Sequence, residues 1–194
     1  QQFALQIQKE VERSVQALQQ GRLDEAITGL QRTLQRLKPE FPGYDLVTHN
    51  LLVACKQKIE QLLAAGDQAG TTPFIRIVLG LQLRGQMIND REFRNAFADN
   101  FHGLGNAYFD HFQFEAAAMC FRKALSIELC PTYHNNLSNA LAALGIGLVL
   151  IRAGRGNPAI TLAMVWGIGW IAFGRLSGAP PSVITGVAAI VVAD

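Results

Sequence analysis

Cysteine is scarce in this sequence, which argues against a disulfide-stabilised fold. Three cysteines occur among 194 residues: Cys55, Cys120 and Cys130. An odd number cannot close into a complete disulfide framework, and no pair has the Cys-x-x-Cys spacing of zinc and redox sites. The amphipathic start of the chain also lacks the basic tip and apolar stretch of a secretory signal. We therefore expect reduced thiols and a reducing compartment such as a cytoplasm or a stroma.

Recognisable catalytic and metal-binding motifs are missing as well. The four histidines have no spacing typical of zinc ligands; they are His49, His102, His111 and His134. The segment GLGNAY lacks the preceding strand and the third glycine of a dinucleotide-binding loop. Cys120 stands beside Phe121 on an apolar face, which favours a structural thiol over a nucleophile activated by His111. We predict a non-enzymatic protein with no catalytic residue, no metal and no cofactor.

A large excess of charge of one sign is also missing, and the existing charges are unevenly distributed. The formal net charge is only +2, so we predict no nucleic-acid partner. Residues 145–194 hold three of the 17 basic and one of the 15 acidic residues, which leaves 14 of each in residues 1–144. The chain therefore divides into a charged domain, residues 1–144, and an almost uncharged segment, residues 145–194.

Apolar residues in the first half of the charged domain recur at helical spacing. Residues 3–19 and 23–37 each show this pattern, and Gly21 interrupts it between them. Pro39 and Pro42 then end the second helix, because proline cannot continue one. This half of the domain begins with a predicted helical hairpin.

Three further helices follow in the predicted order. One covers residues 45–65. Residues 74–88 contain local strand formers but have helical neighbours and no partner strand, so we predict a buried helix there. The next helix is predicted to begin near Asn89, whose side chain can cap free backbone N–H groups. The predicted fold class is all-α.

The most regular stretch is NFHGLGNAYFDHFQFEAAAMCFRKAL, residues 100–125. It predicts two helices joined by a turn at HFQF. Small residues on the facing sides let the helices approach closely, and large ones fill the space beside them. The facing residues are Phe101, Leu104, Gly105 and Tyr108 on the first helix and Ala117, Phe121 and Ala124 on the second. One such pair cannot bury its apolar face alone, so a stack of pairs is expected.

This spacing resembles that of the tetratricopeptide repeat (TPR) family, with the clearest repeat at residues 98–131. A partial copy at residues 131–145 has Leu137, Ser138 and Leu141 at the same offsets and Gly145 in the expected turn between its helices. A weaker copy contains Ser14, Ala17, Gly21, Ala26 and Leu30. The resemblance implies a solenoid of helical hairpins.

In that family the first helix of each repeat lines a concave groove that binds peptides. The resemblance therefore implies eight groove-facing residues: Asp99, His102, Asn106, Phe109, Asp110, Asn135, Asn136 and Asn139. Asn106 and Asn136 match the two asparagines of the family's carboxylate clamp, but His102 stands where the first clamp lysine would be. Carboxamides can hold an extended peptide by its backbone. The alternative is that these asparagines form bonds only within the repeats.

The uncharged segment contains two apolar runs. Residues 156–174 and residues 176–193 carry no charge over 19 and 18 residues, close to the length that crosses a bilayer. Pro180 and Pro181 mark a turn between two spans, which predicts a transmembrane hairpin over residues 145–194. The alternative is a pair of core helices in a larger soluble fold.

Together these features predict a scaffold or assembly factor without enzymatic activity. It would hold a partner protein at a membrane through the groove, with residues 156–193 as an integral anchor. The alternative is a constitutive structural subunit of a multi-subunit membrane complex. We also expect that native sequence is missing before Gln1, since the chain does not begin with methionine.

Overall fold

The computed structural model of the chain describes residues 2–153, with side chains described up to residue 147. Within this part the protein is entirely helical and contains no strand, which confirms the all-α prediction at that level. Its α-helices are α1 (Gln2–Gln19), α2 (Leu23–Arg36), α3 (Tyr44–Ala64), α4 (Thr72–Gly80), α5 (Arg91–Asp110), α6 (Phe114–Ile127) and α7 (Pro131–Ala153). Two short 3₁₀ turns, Ala69–Thr71 and Gln86–Asn89, flank α4.

The first six helices form three successive pairs that pack on one another. Helix α1 packs on α2, α3 on α4, and α5 on α6. Helix α3 also contacts α2 and α5, while α4 contacts α6. Short connections force consecutive helices to run back along each other. The arrangement is that of a helical repeat, in which each pair buries its apolar face against its neighbours.

The three pairs share the same turn geometry at the end of their first helix. The residues at the centre of these turns, Gly21, Gly66 and Phe112, have φ angles of 72°, 76° and 62°. In each turn the N–H of the residue after this central one donates to a carbonyl five residues before it, as the N–H of Gln113 does to the Tyr108 carbonyl at 2.9 Å. This is the Schellman motif, which favours glycine at the left-handed position. Phe112 is the exception to that preference.

The core of the α5–α6 pair consists of the residues predicted from their spacing. Phe101, Leu104 and Tyr108 are buried on α5, and Ala117, Phe121 and Ala124 are buried on α6. A Cβ atom added to Gly105 would lie 2.5 Å from the ring of Phe121. Glycine is therefore required here by the close approach of α5 to α6.

Residues 74–88 differ from the single buried helix that was predicted. Helix α4 ends at Gly80, and Leu81 continues in an extended conformation. The reason is Asp45, whose carboxylate is only 1% exposed and accepts three backbone N–H bonds from the following loop. Those donors would be engaged within the helix if it continued, so the buried carboxylate stabilises a loop instead.

The start of α5 also differs from the prediction by one residue. Its N-cap is Asp90, not Asn89, and the Asp90 carboxylate accepts a bond from the Phe93 N–H at 3.1 Å. Asn89 instead ends the preceding 3₁₀ turn. Both residue types cap helices well, so composition alone could not distinguish them.

The turn predicted at Gly145 is wrong. Helix α7 runs without interruption from Pro131 to Ala153 and includes Gly145 and Gly147. Isolated glycines lower helix stability by only about 1 kcal/mol each, which is too little to end a helix by itself. The chain divides by its contacts into two compact units, Gln1–Leu141 and Ala142–Asp194.

None of the helices within residues 2–153 combines the length and apolar character needed to cross a bilayer. The predicted transmembrane runs, residues 156–174 and 176–193, lie outside the described residues.

Candidate peptide groove

The candidate groove is built on neighbouring faces of α5 and α7. Asp99, His102 and Asn106 are spaced three and four residues apart, so they share one face of α5. Tyr133 and Asn136 lie three residues apart in the first turns of α7. The structure brings these five side chains into direct contact across the two helices.

Asn136 is the centre of this contact. Its Nδ2 atom lies 2.8 Å from Nε2 of His102 and 3.1 Å from Oδ1 of Asn106. An amide nitrogen only donates, so His102 Nε2 must accept and its ring proton is assigned to Nδ1. The three side chains therefore form one hydrogen-bonded unit, which we call the Asn–His–Asn triad.

Tyr133 and Asp99 form a second link between the same helices. The Tyr133 hydroxyl donates to Oδ1 of Asp99 at 2.5 Å. Burial and this bond to the carboxylate raise the pKa of Tyr133 above its ordinary value. The hydroxyl consequently remains a donor at neutral pH, and the aromatic ring of α7 is fixed beside α5.

His102 lies beside two aromatic rings and is partly buried, and its burial affects its charge. Its ring centroid lies 4.9 Å from that of Tyr133 and 5.7 Å from that of Phe121. Burial lowers the pKa of His102, although the charge of Asp99 acts in the opposite direction. The neutral imidazole is therefore favoured, as the bond accepted from Asn136 requires.

The triad leaves part of its hydrogen-bonding capacity unused. Among the described residues, the bonds of the triad use neither the amide nitrogen of Asn106 nor Nδ1 of His102. They also leave Oδ1 of Asn136 without a partner in that part of the chain. Two donors and one acceptor are thus available on half-buried side chains for another molecule.

The other four predicted groove residues are less closely connected. Asp110 and Asn135 are exposed, and Asn139 is half-buried on α7. Phe109 packs against Phe114 with ring centroids 5.1 Å apart, at the turn between α5 and α6. The triad and Asp99 are therefore the part of the predicted set that the structure brings together.

Sequence reasoning did not identify Tyr133, although a signal for it exists. Tyr133 follows its partner Asp99 by 34 residues, and the ion pair Arg94–Glu128 and the contact His102–Asn136 have the same separation. Two of these contacts join α5 to the start of α7, and a separation close to one repeat length is expected where the first helices of successive repeats pack together.

A second asparagine–histidine contact joins α3 to α5 and was also missed. Asn100 Nδ2 lies 3.2 Å from Nε2 of His49, and it also donates to the carbonyl of Ala96 at 2.8 Å. Burial lowers the pKa of His49. A neutral histidine therefore accepts a hydrogen bond from an asparagine where α5 contacts α3 and again where α5 contacts α7.

The buried cysteines are poorly suited to nucleophilic chemistry. Burial raises the pKa of Cys55 and of Cys120 to about 12 in each case. A thiol is nucleophilic as the thiolate, so both remain protonated and inert at neutral pH. Within the part of the chain that the structure describes, no three His, Cys, Asp or Glu side chains come together as a metal site.

A shallow cavity of about 280 Å³ lies at the α1–α2 turn and is lined mainly by charged side chains. Its charges are paired internally, since Lys58 contacts Asp24 at 2.8 Å and Arg22 contacts Glu25. It therefore offers no concentrated charge of one sign to a ligand.

Comparison with models of protein families gives no match, and comparison with curated proteins gives none either.

Proposed function

We propose that this protein is a non-enzymatic scaffold or assembly factor of the TPR type. It binds an extended segment of a partner protein in the groove between α5 and α7. The observation that carries the proposal is the Asn–His–Asn triad, which spans both helices and retains two donors and one acceptor.

The unused groups of the triad match the chemistry of a peptide backbone. An extended peptide presents alternating N–H and C=O groups, and a carboxamide can bond both kinds. Asn106 Nδ2 and His102 Nδ1 would donate to peptide carbonyls, while Asn136 Oδ1 would accept from a peptide N–H. Because the internal bonds hold the three side chains in position, little conformational entropy is lost on binding.

The charges near the triad favour an internal segment of the partner over its free C-terminus. His102 is uncharged at neutral pH, and the carboxylate of Asp99 lies on the same face of α5. A terminal carboxylate would be repelled by Asp99 and would find no lysine at the position of His102. The groove is thus proposed to bind a neutral or basic segment.

The location that we propose is the surface of a membrane, facing a reducing compartment. The support is the composition of residues 156–193, which include one charge, Arg175. Membrane fractionation with an alkaline carbonate wash, on the full chain and on a chain cut after Leu144, tests this. Resistance of the full chain alone supports an integral anchor. Release of the full chain would contradict one.

The groove is tested by peptide selection on the full chain. Extended peptides selected from a display library are measured against Asn106→Ala, Asn136→Ala and the double variant. Each lost bond is expected to weaken binding by about tenfold, since an unpaired polar group costs on the order of 1–2 kcal/mol. Asn89→Ala, an exposed asparagine outside the groove, serves as the matched control.

Unchanged affinity of the double variant would refute the groove. The second candidate is a constitutive subunit of a membrane complex, in which the triad would serve only to fasten α7 to α5. In that case Asn136→Ala would lower stability without affecting any peptide. Tail variants such as Gly169→Leu would then prevent complex assembly.

A further inference from the structure

Phe112 occupies an unusual position in the turn between α5 and α6. It has a φ angle of 62°, and it is the only non-glycine residue with positive φ among the described residues. The equivalent positions in the other two turns are Gly21 and Gly66, where no Cβ atom is strained by this conformation. Phenylalanine thus occupies a position where glycine would be less strained.

The side chain of Phe112 gains little burial in return. It is 78% exposed, the second most exposed of the large apolar side chains in the described part of the chain. Its ring stands edge-on to Phe114, with centroids 6.2 Å apart, and Phe114 packs in turn against Phe109. Neither backbone preference nor core packing accounts for this residue. Unfavourable conformations that persist in this way are found preferentially at functional positions.

The surroundings of the exposed ring are acidic. Asp110 and Glu115 are exposed on either side of the turn. The Gln113 side chain donates to Gln68 at 2.8 Å, which holds the turn beside the loop that contains the exposed Asp67.

Basic residues stand well away from the turn along its own two helices. The nearest are Arg94 on α5 and Arg122 on α6, 16 and eight residues from Asp110 and Phe114 respectively. At the rise of an α-helix these separations are about 24 Å and 12 Å. Along its own two helices the turn therefore presents aromatic surface flanked by carboxylates and not by basic side chains.

We infer that the exposed turn formed by Phe112 and Phe114 is a second interaction surface, and that it binds a basic amphipathic segment of a partner protein. An aromatic face attracts cationic side chains, and the flanking carboxylates attract them further. The apolar side of the same segment covers the ring of Phe112. The inference does not depend on the Asn–His–Asn triad, because no residue of the triad takes part in it; Asp110 alone is shared with the predicted groove set.

The acidity of the turn argues against insertion into a membrane. Phenylalanine can enter the interfacial region of a bilayer, but the cytoplasmic leaflet is negatively charged and repels neighbouring carboxylates. A basic amphipathic segment can cover the aromatic ring and form ion pairs with the carboxylates at the same time.

The backbone conformation provides a sharp test. Phe112→Gly removes the ring but relieves the unfavourable φ, so this variant should unfold at a higher temperature and nevertheless bind less. Phe112→Asn also tolerates the left-handed conformation and lacks an aromatic ring. Phe112→Trp keeps an aromatic ring at the same position. Loss of binding therefore cannot be attributed to loss of the fold.

The probe is a fluorescent amphipathic peptide of lysine and leucine, and its matched control replaces every lysine with glutamate. Anisotropy is measured on the full chain. We expect the lysine peptide to bind wild type and Phe112→Trp, and Phe112→Gly and Phe112→Asn to weaken it by about tenfold or more. Asp110→Asn with Glu115→Gln should reduce both the affinity and its salt dependence.

Equal binding of the lysine peptide to wild type and Phe112→Gly would overturn the inference, as would equal binding of the two peptides. Two further outcomes would assign the surface to another occupant and would also overturn it. One is binding to anionic lipid vesicles that Phe112→Gly abolishes. The other is self-association in sedimentation experiments that Phe112→Gly abolishes.

Discussion

Removing the carboxylate of Asp45 should destabilise the protein more than removing any exposed acid. Asp45 is only 1% exposed, and its oxygens accept bonds from the N–H groups of Arg84 and Gly85 at 2.9 Å and of Met87 at 3.0 Å. No other contact in the described residues supplies these three loop N–H groups with an acceptor. This side chain therefore connects the start of α3 to a loop about 40 residues later.

The magnitude follows from the number and kind of these bonds. Hydrogen bonds to a charged group contribute about 1.5–3 kcal/mol each, but bonds that share one carboxylate are not additive. Asp45→Ala should therefore cost about 3–5 kcal/mol of unfolding free energy, and Asp45→Asn about 2 kcal/mol. Asparagine keeps the acceptor for Arg84 and Gly85 but turns an NH₂ group toward the N–H of Met87.

Two measurements check this prediction. Urea unfolding followed by circular dichroism gives the global loss, and amide hydrogen exchange reports the loop directly. Exchange at Arg84, Gly85 and Met87 should accelerate more in the variants than exchange elsewhere. The matched control is Asp24→Ala, an acid whose side chain is 74% exposed and whose ion pair with Lys58 contributes at most about 1 kcal/mol. The reasoning would be refuted if Asp45→Asn and Asp24→Ala lost the same stability.

Three further predictions follow from the packing, the histidines and the thiols. Gly105→Ala should cost about 1–3 kcal/mol in thermal unfolding, because the new methyl group meets the Phe121 ring; a second change, Phe121→Leu, should recover part of that loss, and additive losses would contradict the overpacking. Burial lowers the pKa of His49 and of His102 in the fold, so folding favours the neutral form. Stability should therefore decline as the pH falls below about 6.5, the ordinary histidine pKa, and the decline should be smaller with glutamine at both positions; an unchanged pH profile of urea midpoints would contradict this. Cys130 is half-buried and the other two cysteines are buried, so a thiol reagent should modify one cysteine rapidly in the native chain and three after unfolding; three rapid reactions in the native chain would contradict the buried positions.

The helices were predictable where local pattern and packing agree. The residues of the α5–α6 pair lie at helical spacing, and the small ones mark the faces that approach closely. Gly105 illustrates this. The sequence shows that a glycine stands at this position, and the structure shows that the ring of Phe121 leaves no room for a side chain there. The pairing of α1 with α2 followed in the same way from Gly21 and the prolines after α2.

The loop after α4 was not predictable from local pattern, because its cause lies far away in the sequence. The apolar residues of 74–88 fit a helix, but the carboxylate of Asp45, about 40 residues earlier, binds the N–H groups of the loop that follows Gly80 and stabilises that loop instead. The groove shows the same limitation. The repeat spacing predicts that Asn106 and Asn136 lie on neighbouring helices, but not that one amide bonds both Asn106 and His102.

Helix α7 shows that a repeat-like spacing of apolar residues does not by itself bury them. Leu137 and Leu141 stand at the offsets of Leu104 and Tyr108, which are fully buried on α5. On α7, however, Leu137 is half-buried and Leu141 is 40% exposed. The equivalent positions on α5 are covered by α6, which begins after a turn at Phe112. No corresponding turn occurs at Gly145, where α7 continues, so no second helix of the described chain returns over Leu141. Periodic apolar residues therefore do not by themselves ensure burial, which also requires a turn that brings a second helix back over them.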